Sequence, residues 1–268
     1  MKSYLIAILF MFGIFIYSCD EVFEYSPYVI DFEDHETNLT QKNIIALSLN
    51  NASDTLTIAL TGDTHRFYDE AERMVNKLNT DFDIDFLIHT GDFTDYGIPK
   101  QYHWSNSIFS ELNAPYFVVA GNHDLVSNGE EGYKEMFGNL NFSFIHHAIK
   151  FIFINTNSRE YEFNGQIPDL DWLRNEINPG DDFEKVVLVF HTPPFDADFD
   201  SDLEDEFMNI LHNSDNVLFA THGHLHSFNY SEPYSDGIPF VNTASVEKNE
   251  FVRVKIYNNE FTVDVIDF

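Results

Sequence analysis

Six short, largely apolar runs of four or five residues punctuate the chain at 56–60, 86–89, 116–120, 151–155, 186–190 and 217–220. Their length and their Val, Ile, Leu and Phe content suit buried strands better than helices. Between them the apolar spacing changes. Ala71, Met74, Val75 and Leu78 fall at i, i+3, i+4 and i+7, which is one face of a helix, and Leu203, Phe207, Ile210 and Leu211 repeat a helical spacing. Strands that alternate with helices imply an α/β fold. The end of the chain departs from this rhythm. Residues 251–256 and 261–266 alternate with period two around Asn258-Asn259, the mark of a hairpin. Antiparallel pairing there implies mixed sheets rather than purely parallel ones.

The chain has 268 residues, 44% of them hydrophobic and 28 of them Phe, enough to bury one sizeable core. Its formal net charge is -31, from 45 acidic and 14 basic residues. Such a surface lacks the Lys and Arg that replace phosphate counterions, so nucleic acid is not an expected partner. It disfavours electrostatic attachment to anionic lipid as well. The plain reading of the charge is solubility. The chain has one cysteine, Cys19. No intrachain disulfide and no thiolate cage can form, so any metal falls to His, Asp, Glu or Asn.

Residues 1–18 read as an export signal. Lys2 supplies the positive end, the stretch from Tyr4 to Tyr17 is nearly all apolar, and Ser18 precedes Cys19. The run is shorter than the about 20 residues that span a bilayer. Ile16-Tyr17-Ser18-Cys19 resembles a bacterial lipobox, in which the chain is cut before a cysteine that is then acylated, although Tyr17 departs from the small residue usual there. The alternative is an uncleaved anchor helix with an incidental cysteine. The expected organisation is a lipoprotein signal peptide at 1–18, a polar tether and lead-in at 19–54, and a folded domain at 55–268. The expected location is the bacterial cell envelope, with the membrane reached through a lipid on Cys19.

Five polar clusters follow the strand-like runs in order. They are Asp63-Thr64-His65, Gly91-Asp92-Phe93-Thr94-Asp95, Gly121-Asn122-His123-Asp124, the single His191, and Gly223-His224-Leu225-His226. Functional groups in open α/β sheets collect at the carboxyl ends of strands. Residues two apart in extended chain point the same way, so Asp63 and His65 are expected to face one point, and His224 and His226 likewise. Glycines at 62, 91, 121 and 223 permit sharp turns or close backbone approach. The set is rich in imidazole and carboxylate and has no sulfur, which suits Mn, Fe or Zn. One metal with so many ligands would be crowded, whereas two sharing a carboxylate would not.

These clusters resemble the calcineurin-like metallophosphoesterases, whose pattern is D-x-H, G-D-x-x-D, G-N-H-[DE], H, then G-H-x-H. Every element is present in order between positions 63 and 226. The resemblance implies a four-layer α/β/β/α sandwich with two mixed sheets and a dimetal site at its loop-bearing edge. It implies that Asp63, His65, Asp92 and His226 hold one divalent metal and that Asp92, Asn122, His191 and His224 hold the other, with Asp92 bridging. His123 would be catalytic, facing the substrate, and Asp95 would orient it. The implied activity is metal-dependent hydrolysis of a phosphoester, here outside the cytoplasm. The chemistry agrees: a metal pair neutralises phosphoryl charge and activates water, and an imidazole can protonate the departing oxygen.

Other residues carry weaker expectations. Arg66 could touch a substrate phosphate, or equally pair with Asp69 or Glu70. Asp124 is expected to support its loop. His89, His103, His146, His147 and His212 are read as structural, and His222 as lying outside the ligand set. Tyr96-Gly97 stands where the protein-phosphatase branch carries Arg-Gly, so a protein serine/threonine phosphatase is not expected. His191-Thr192-Pro193-Pro194 and Gly223-His224-Leu225-His226 look more like the branch that includes cyclic-nucleotide phosphodiesterases. The expected substrate is a small phosphoester, either a diester or a monoester. The alternatives are a nucleotide pyrophosphate or lipid-linked phosphate hydrolase, or a catalytically silent surface binding protein. The last is disfavoured because no ligand position is replaced.

Overall fold

A computed structural model of the chain describes residues 26–49, 54–180 and 182–268. The expected signal peptide at 1–18 and the acylation site at Cys19 lie outside the described residues. The elements run α1 (Leu39–Ser48), β1 (Leu56–Thr61), α2 (Tyr68–Asp81), β2 (Phe86–His89), α3 (Pro99–Phe109), β3 (Tyr116–Val118), α4 (Gly129–Met136) and β4 (Phe142–His146). They continue with β5 (Ile149–Phe153), α5 (Leu170–Ile177), β6 (Lys185–Val189), α6 (Ser201–His212), β7 (Val217–His222), β8 (Asn229–Ser231), β9 (Phe240–Asn242), β10 (Glu250–Tyr257) and β11 (Glu260–Asp267).

The strands form two sheets, ordered β11-β10-β1-β2-β3 and β4-β5-β6-β7-β9-β8. In the first, β1, β2 and β3 are parallel and the C-terminal hairpin joins antiparallel at β1. In the second, β5, β6, β7 and β9 are parallel and the edge strands β4 and β8 are antiparallel. Both sheets are therefore mixed. The hairpin turns on Asn258 and Asn259, both left-handed with φ of 49° and 61°. That is the backbone a two-residue turn of this twist demands, and Asn adopts it at low cost.

Alternate residues of each strand serve different cores, because successive side chains face opposite sides of a sheet. Ile58, Leu60, Phe86, Ile88 and Phe117 pack inward against Phe151, Phe153, Val187, Val189, Phe219 and Val241 of the facing sheet. The outward set of the first sheet, including Ala59, Leu87 and Val118, packs on Ala71, Met74, Val75 and Leu78 of α2, Tyr102 and Phe109 of α3, and Tyr133 and Met136 of α4. The outward set of the second, including Val186, Leu188 and Ala220, packs on Leu173 and Ile177 of α5 and Phe207 and Leu211 of α6. The result is the four-layer α/β/β/α arrangement. Each buried Phe or Leu contributes about 2 kcal/mol through area removed from water. The double-sided burial explains why these strands read as continuous apolar runs rather than alternating ones.

The lead-in contains α1, whose Leu47 enters the inter-sheet core and whose Leu39 enters the α2–α4 core. Asn43 Nδ2 donates to the Tyr116 carbonyl at 2.7 Å and fixes it against β3. Its apolar stripe is blurred by Ile45 and Leu49, which stay exposed. His146 closes β4, and His147 and Ala148, both left-handed, turn β4 into β5. Among the described residues no helix is long and apolar enough to cross a membrane.

Parallel β1, β2 and β3 end at one edge of the first sheet, and parallel β6 and β7 end at one edge of the second. The five polar clusters leave these five ends, so the stacked sheets bring them together.

Candidate metal centre

All seven residues expected as ligands converge. His226 Nε2 lies 3.3 Å from Asp63 Oδ1 and 3.3 Å from His65 Nε2. Asp63, His65, Asp92 and His226 each present one ligand atom within a single cluster. On the other side, His191 Nε2 lies 3.0 Å from Asn122 Oδ1, and His224 Nδ1 lies 3.2 Å from the same oxygen and 3.3 Å from His191 Nε2. Asp92 stands between the two groups. Its Oδ2 is 3.5 Å from His65 Nε2 and 3.3 Å from His191 Nε2.

The expected convergence holds, but not through extended chain. Asp63, His65, Asp92, His224 and His226 all have left-handed backbones, with φ of 51°, 47°, 55°, 73° and 57°. Non-glycine residues rarely adopt this region, and strain of that kind gathers at functional sites. The side chains meet because each loop curls back over its strand end, held by Asp63 N to Gly91 O at 2.9 Å and His65 N to Asp92 O at 3.1 Å.

Close packing of the loops depends on two glycines. A Cβ on Gly121 would stand 2.1 Å from Asp92 N and 2.2 Å from Asp92 Oδ1. Gly91 is left-handed, and a Cβ there would strike the His191 ring at 2.5 Å. Asp124 ties the same loops together. It accepts from the backbone N–H of Phe93, Thr94 and Gly121 and from the Thr94 hydroxyl. Burial and the nearby Asp92 charge push its carboxyl up to about 6. Asp124 is therefore a loop support, as expected.

The donor set fits divalent cations. His191 Nδ1 donates to the Thr90 carbonyl at 2.8 Å, which turns Nε2 toward Asn122 and Asp92. Asp63 Oδ2 is buried with no hydrogen-bond partner. A buried, ionisable oxygen without a donor is costly unless a cation satisfies it. Without a cation the imidazoles take that part. Burial opposes charging His191, yet the Asp92 carboxylate raises it to about 10. Burial works against the Asp92 charge too, but the His191 imidazole holds its carboxyl below the usual range. His226 is raised by its hydrogen bond to Asp63, while burial lowers His65 and His224.

His123 and Asp95 meet differently from expectation. His123 Nδ1 donates to the backbone carbonyl of Asp95 at 2.8 Å, whereas the carboxylate is 3.9 Å away. That carboxylate instead lies 3.5 Å from His65 Nδ1 and 3.3 Å from Arg66. Residue 95 orients His123 through its main chain, because the loop carries its side chain toward the Asp63-Thr64-His65 segment. Arg66 accordingly pairs with Asp95 rather than with Asp69 or Glu70. The His123 ring packs edge-on against His65 at 4.6 Å and remains partly open to solvent. His123 N also donates to Asp92 Oδ1 at 2.9 Å.

The remaining histidines sit apart from the ligand set. His222 is buried and stacked on Phe190, with Nδ1 on the Gly223 carbonyl, and burial lowers it to about 4. His89 is buried with Nε2 on the Thr64 hydroxyl, and burial lowers it to about 3. Sequence reasoning missed several supports. Ser245 Oγ donates to the Asp63 carbonyl, Asn157 Nδ2 donates to the Ala120 carbonyl, and Asp196 and Asp198 approach His224. The one signal for the last pair was an Asp-x-Asp spacing soon after His191.

The chain belongs to the calcineurin-like phosphoesterase family, whose model matches residues 56–228, well over half of its length. A relative from Arcobacter nitrofigilis, described as "Probable glycerophosphodiester phosphodiesterase GpdQ", is 26% identical over 155 residues. That match spans 53% of this chain and 56% of the relative, so the chain covers just over half of that protein. Two solved structures share the fold. A dimetal phosphatase from Danio rerio gives a TM-score of 0.64 at 13% identity, covering 79% of this chain and 96% of its own. A purple acid phosphatase from yellow lupin (Lupinus luteus) gives 0.62 at 12% identity, covering 81% and 52%.

Proposed function

We propose that the protein is a two-metal phosphodiesterase acting on a small phosphodiester. The observation that carries this is the position of Asp92, whose single oxygen Oδ2 lies within 3.5 Å of an imidazole from each donor group. In this reading Asp63, His65, Asp92 and His226 hold one cation and Asp92, Asn122, His191 and His224 the other. When bound, the pair neutralises phosphoryl charge and acidifies water. The chain's own groups supply the rest. The Thr90 carbonyl keeps His191 Nε2 facing inward. The Asp95 carbonyl accepts a hydrogen bond from His123 Nδ1–H, so that when the ring is protonated on both nitrogens its Nε2 proton is the one that can pass to the departing oxygen.

A diester is favoured over a monoester by the likeness to the Arcobacter protein. We infer an envelope location from sequence alone: Lys2, the apolar stretch to Tyr17, and the sole cysteine just after Ser18. Purified protein lacking residues 1–19, loaded with Mn, would be assayed on bis-nitrophenyl phosphate and nitrophenyl phosphate. Higher kcat/KM on the diester supports the reading. Activity on the monoester alone removes the diester assignment, and bound metal without turnover on either points to a silent binding protein. Mass analysis of the full-length product tests for lipid on Cys19, and an unmodified cysteine ends that part of the proposal.

A further inference from the structure

His224 turns Nδ1, not Nε2, toward Asn122 and His191. Its other nitrogen, Nε2, lies 3.4 Å from Asp196 Oδ1 and 3.7 Å from Asp198 Oδ2. A neutral imidazole carries one proton, and ionised carboxylates only accept. Two carboxylates beside Nε2 therefore favour the proton there. Asn122 Oδ1 competes for a proton on Nδ1, but one neutral amide oxygen is a weaker acceptor than two charged groups.

The loop after His191 is folded so as to present both carboxylates. Asp196 N donates to the Pro193 carbonyl at 3.0 Å, and Phe199 N to the Asp196 carbonyl at 3.1 Å. Asp196 Oδ1 also accepts from Asp198 N at 2.9 Å, an Asx turn that brings the two acids to one side. Asp198 is largely buried, and its Oδ1 is paired with Arg159 at 2.5 Å, so Oδ2 is the oxygen left for His224. Arg159 N further donates to the Asp198 carbonyl at 3.2 Å. The segment that delivers His191 to the centre thus also braces His224.

We propose that Asp196 and Asp198 are positioning residues that hold the proton of His224 on Nε2 and so leave the Nδ1 lone pair facing Asn122 and His191. Its consequence for metal affinity rests on the two-metal reading above. Carboxylates placed behind a ligating histidine fix its tautomer and raise its basicity, and their loss costs about 10- to 100-fold in affinity.

The test uses Asp196→Ser/Asp198→Ser. Serine can still cap a turn of this kind, but it is too short to reach His224. Long-range ¹H–¹⁵N spectra of the metal-free protein at pH 8 report which ring nitrogen of His224 carries the proton. The wild type should show Nε2–H, and the variant a mixture of tautomers. In a two-step Mn titration the variant should weaken one step about tenfold, with the other step unchanged. An Nδ1–H tautomer in the wild type overturns the proposal, as does a variant that keeps the wild-type tautomer. A wild type that takes up one cation contradicts the two-metal reading instead, and the spectra still decide the role of the two acids. If the double variant fails to fold, Asp196→Ser alone removes the nearer carboxylate, 3.4 Å against 3.7 Å, and should shift the tautomer in part; no shift overturns the role of Asp196.

Discussion

His123 Nδ1 donates to the main-chain carbonyl of Asp95 at 2.8 Å, while the side chain of Asp95 points to His65 and Arg66. The two functions of residue 95 are thereby separable. Asp95→Asn keeps the carbonyl and should leave the proton-transfer role of His123 intact. His123→Ala should retain both cations and lose about 10²-fold or more in kcat on a diester with an alkoxide leaving group. The loss should be much smaller with nitrophenolate, which leaves without a proton. Comparing kcat on the two substrates checks this, and an equal loss on both would contradict the assigned role.

Gly121→Ala tests the loop packing around Asp92. The new Cβ would meet main-chain and carboxylate atoms of Asp92 at 2.1 and 2.2 Å, and main chain cannot swing aside as a flexible side chain can. The expected result is loss of most bound metal with far-UV circular dichroism unchanged. Full metal content in this variant would show that the Asp92 loop relaxes freely.

Metal uptake should release protons. In the cation-free protein His191 is raised to about 10 despite burial, mainly by Asp92, so it is charged at pH 8. Coordination needs the neutral ring, so uptake expels about one proton there and strengthens as pH rises toward 10. Calorimetric titration in buffers of different ionisation enthalpy measures the number. No proton release at pH 8 would count against His191 as a ligand.

Much of this was legible in the letters. The five clusters stood out because each follows a strand buried on both faces, and Asn258-Asn259 marked the hairpin because few residues accept that turn. The left-handed backbones at Asp63, His65, Asp92, His224 and His226 were not legible. Tertiary hydrogen bonds such as Asp63 N to Gly91 O impose them against local preference. The main-chain role of residue 95 was hidden for a related reason: a sequence names side chains, not which carbonyl a loop exposes. The helix α1 was obscured by Ile45 and Leu49, and β8 and β9, of three residues each, are too short to show a period.

Acid should destabilise the fold through its buried neutral histidines. Burial lowers His89 to about 3 and His222 to about 4, below the ordinary 6.5. Between those values the unfolded chain binds protons that the folded chain refuses, so stability is full above 6.5 and falls as pH drops. Relative to His89→Gln, the wild type should lose about 1.4 kcal/mol per pH unit from pH 6 to 4. Urea unfolding of both cation-free proteins measures the gap, and a constant difference across that range would contradict the account.

The most direct measurement is the metal content of purified protein by mass spectrometry, for the wild type, Asn122→Ala and Asp92→Ala. The shared position of Asp92 predicts two cations per chain in the wild type, one in Asn122→Ala and none in Asp92→Ala. An Asp92→Ala protein that is folded and still holds two cations would contradict the shared centre.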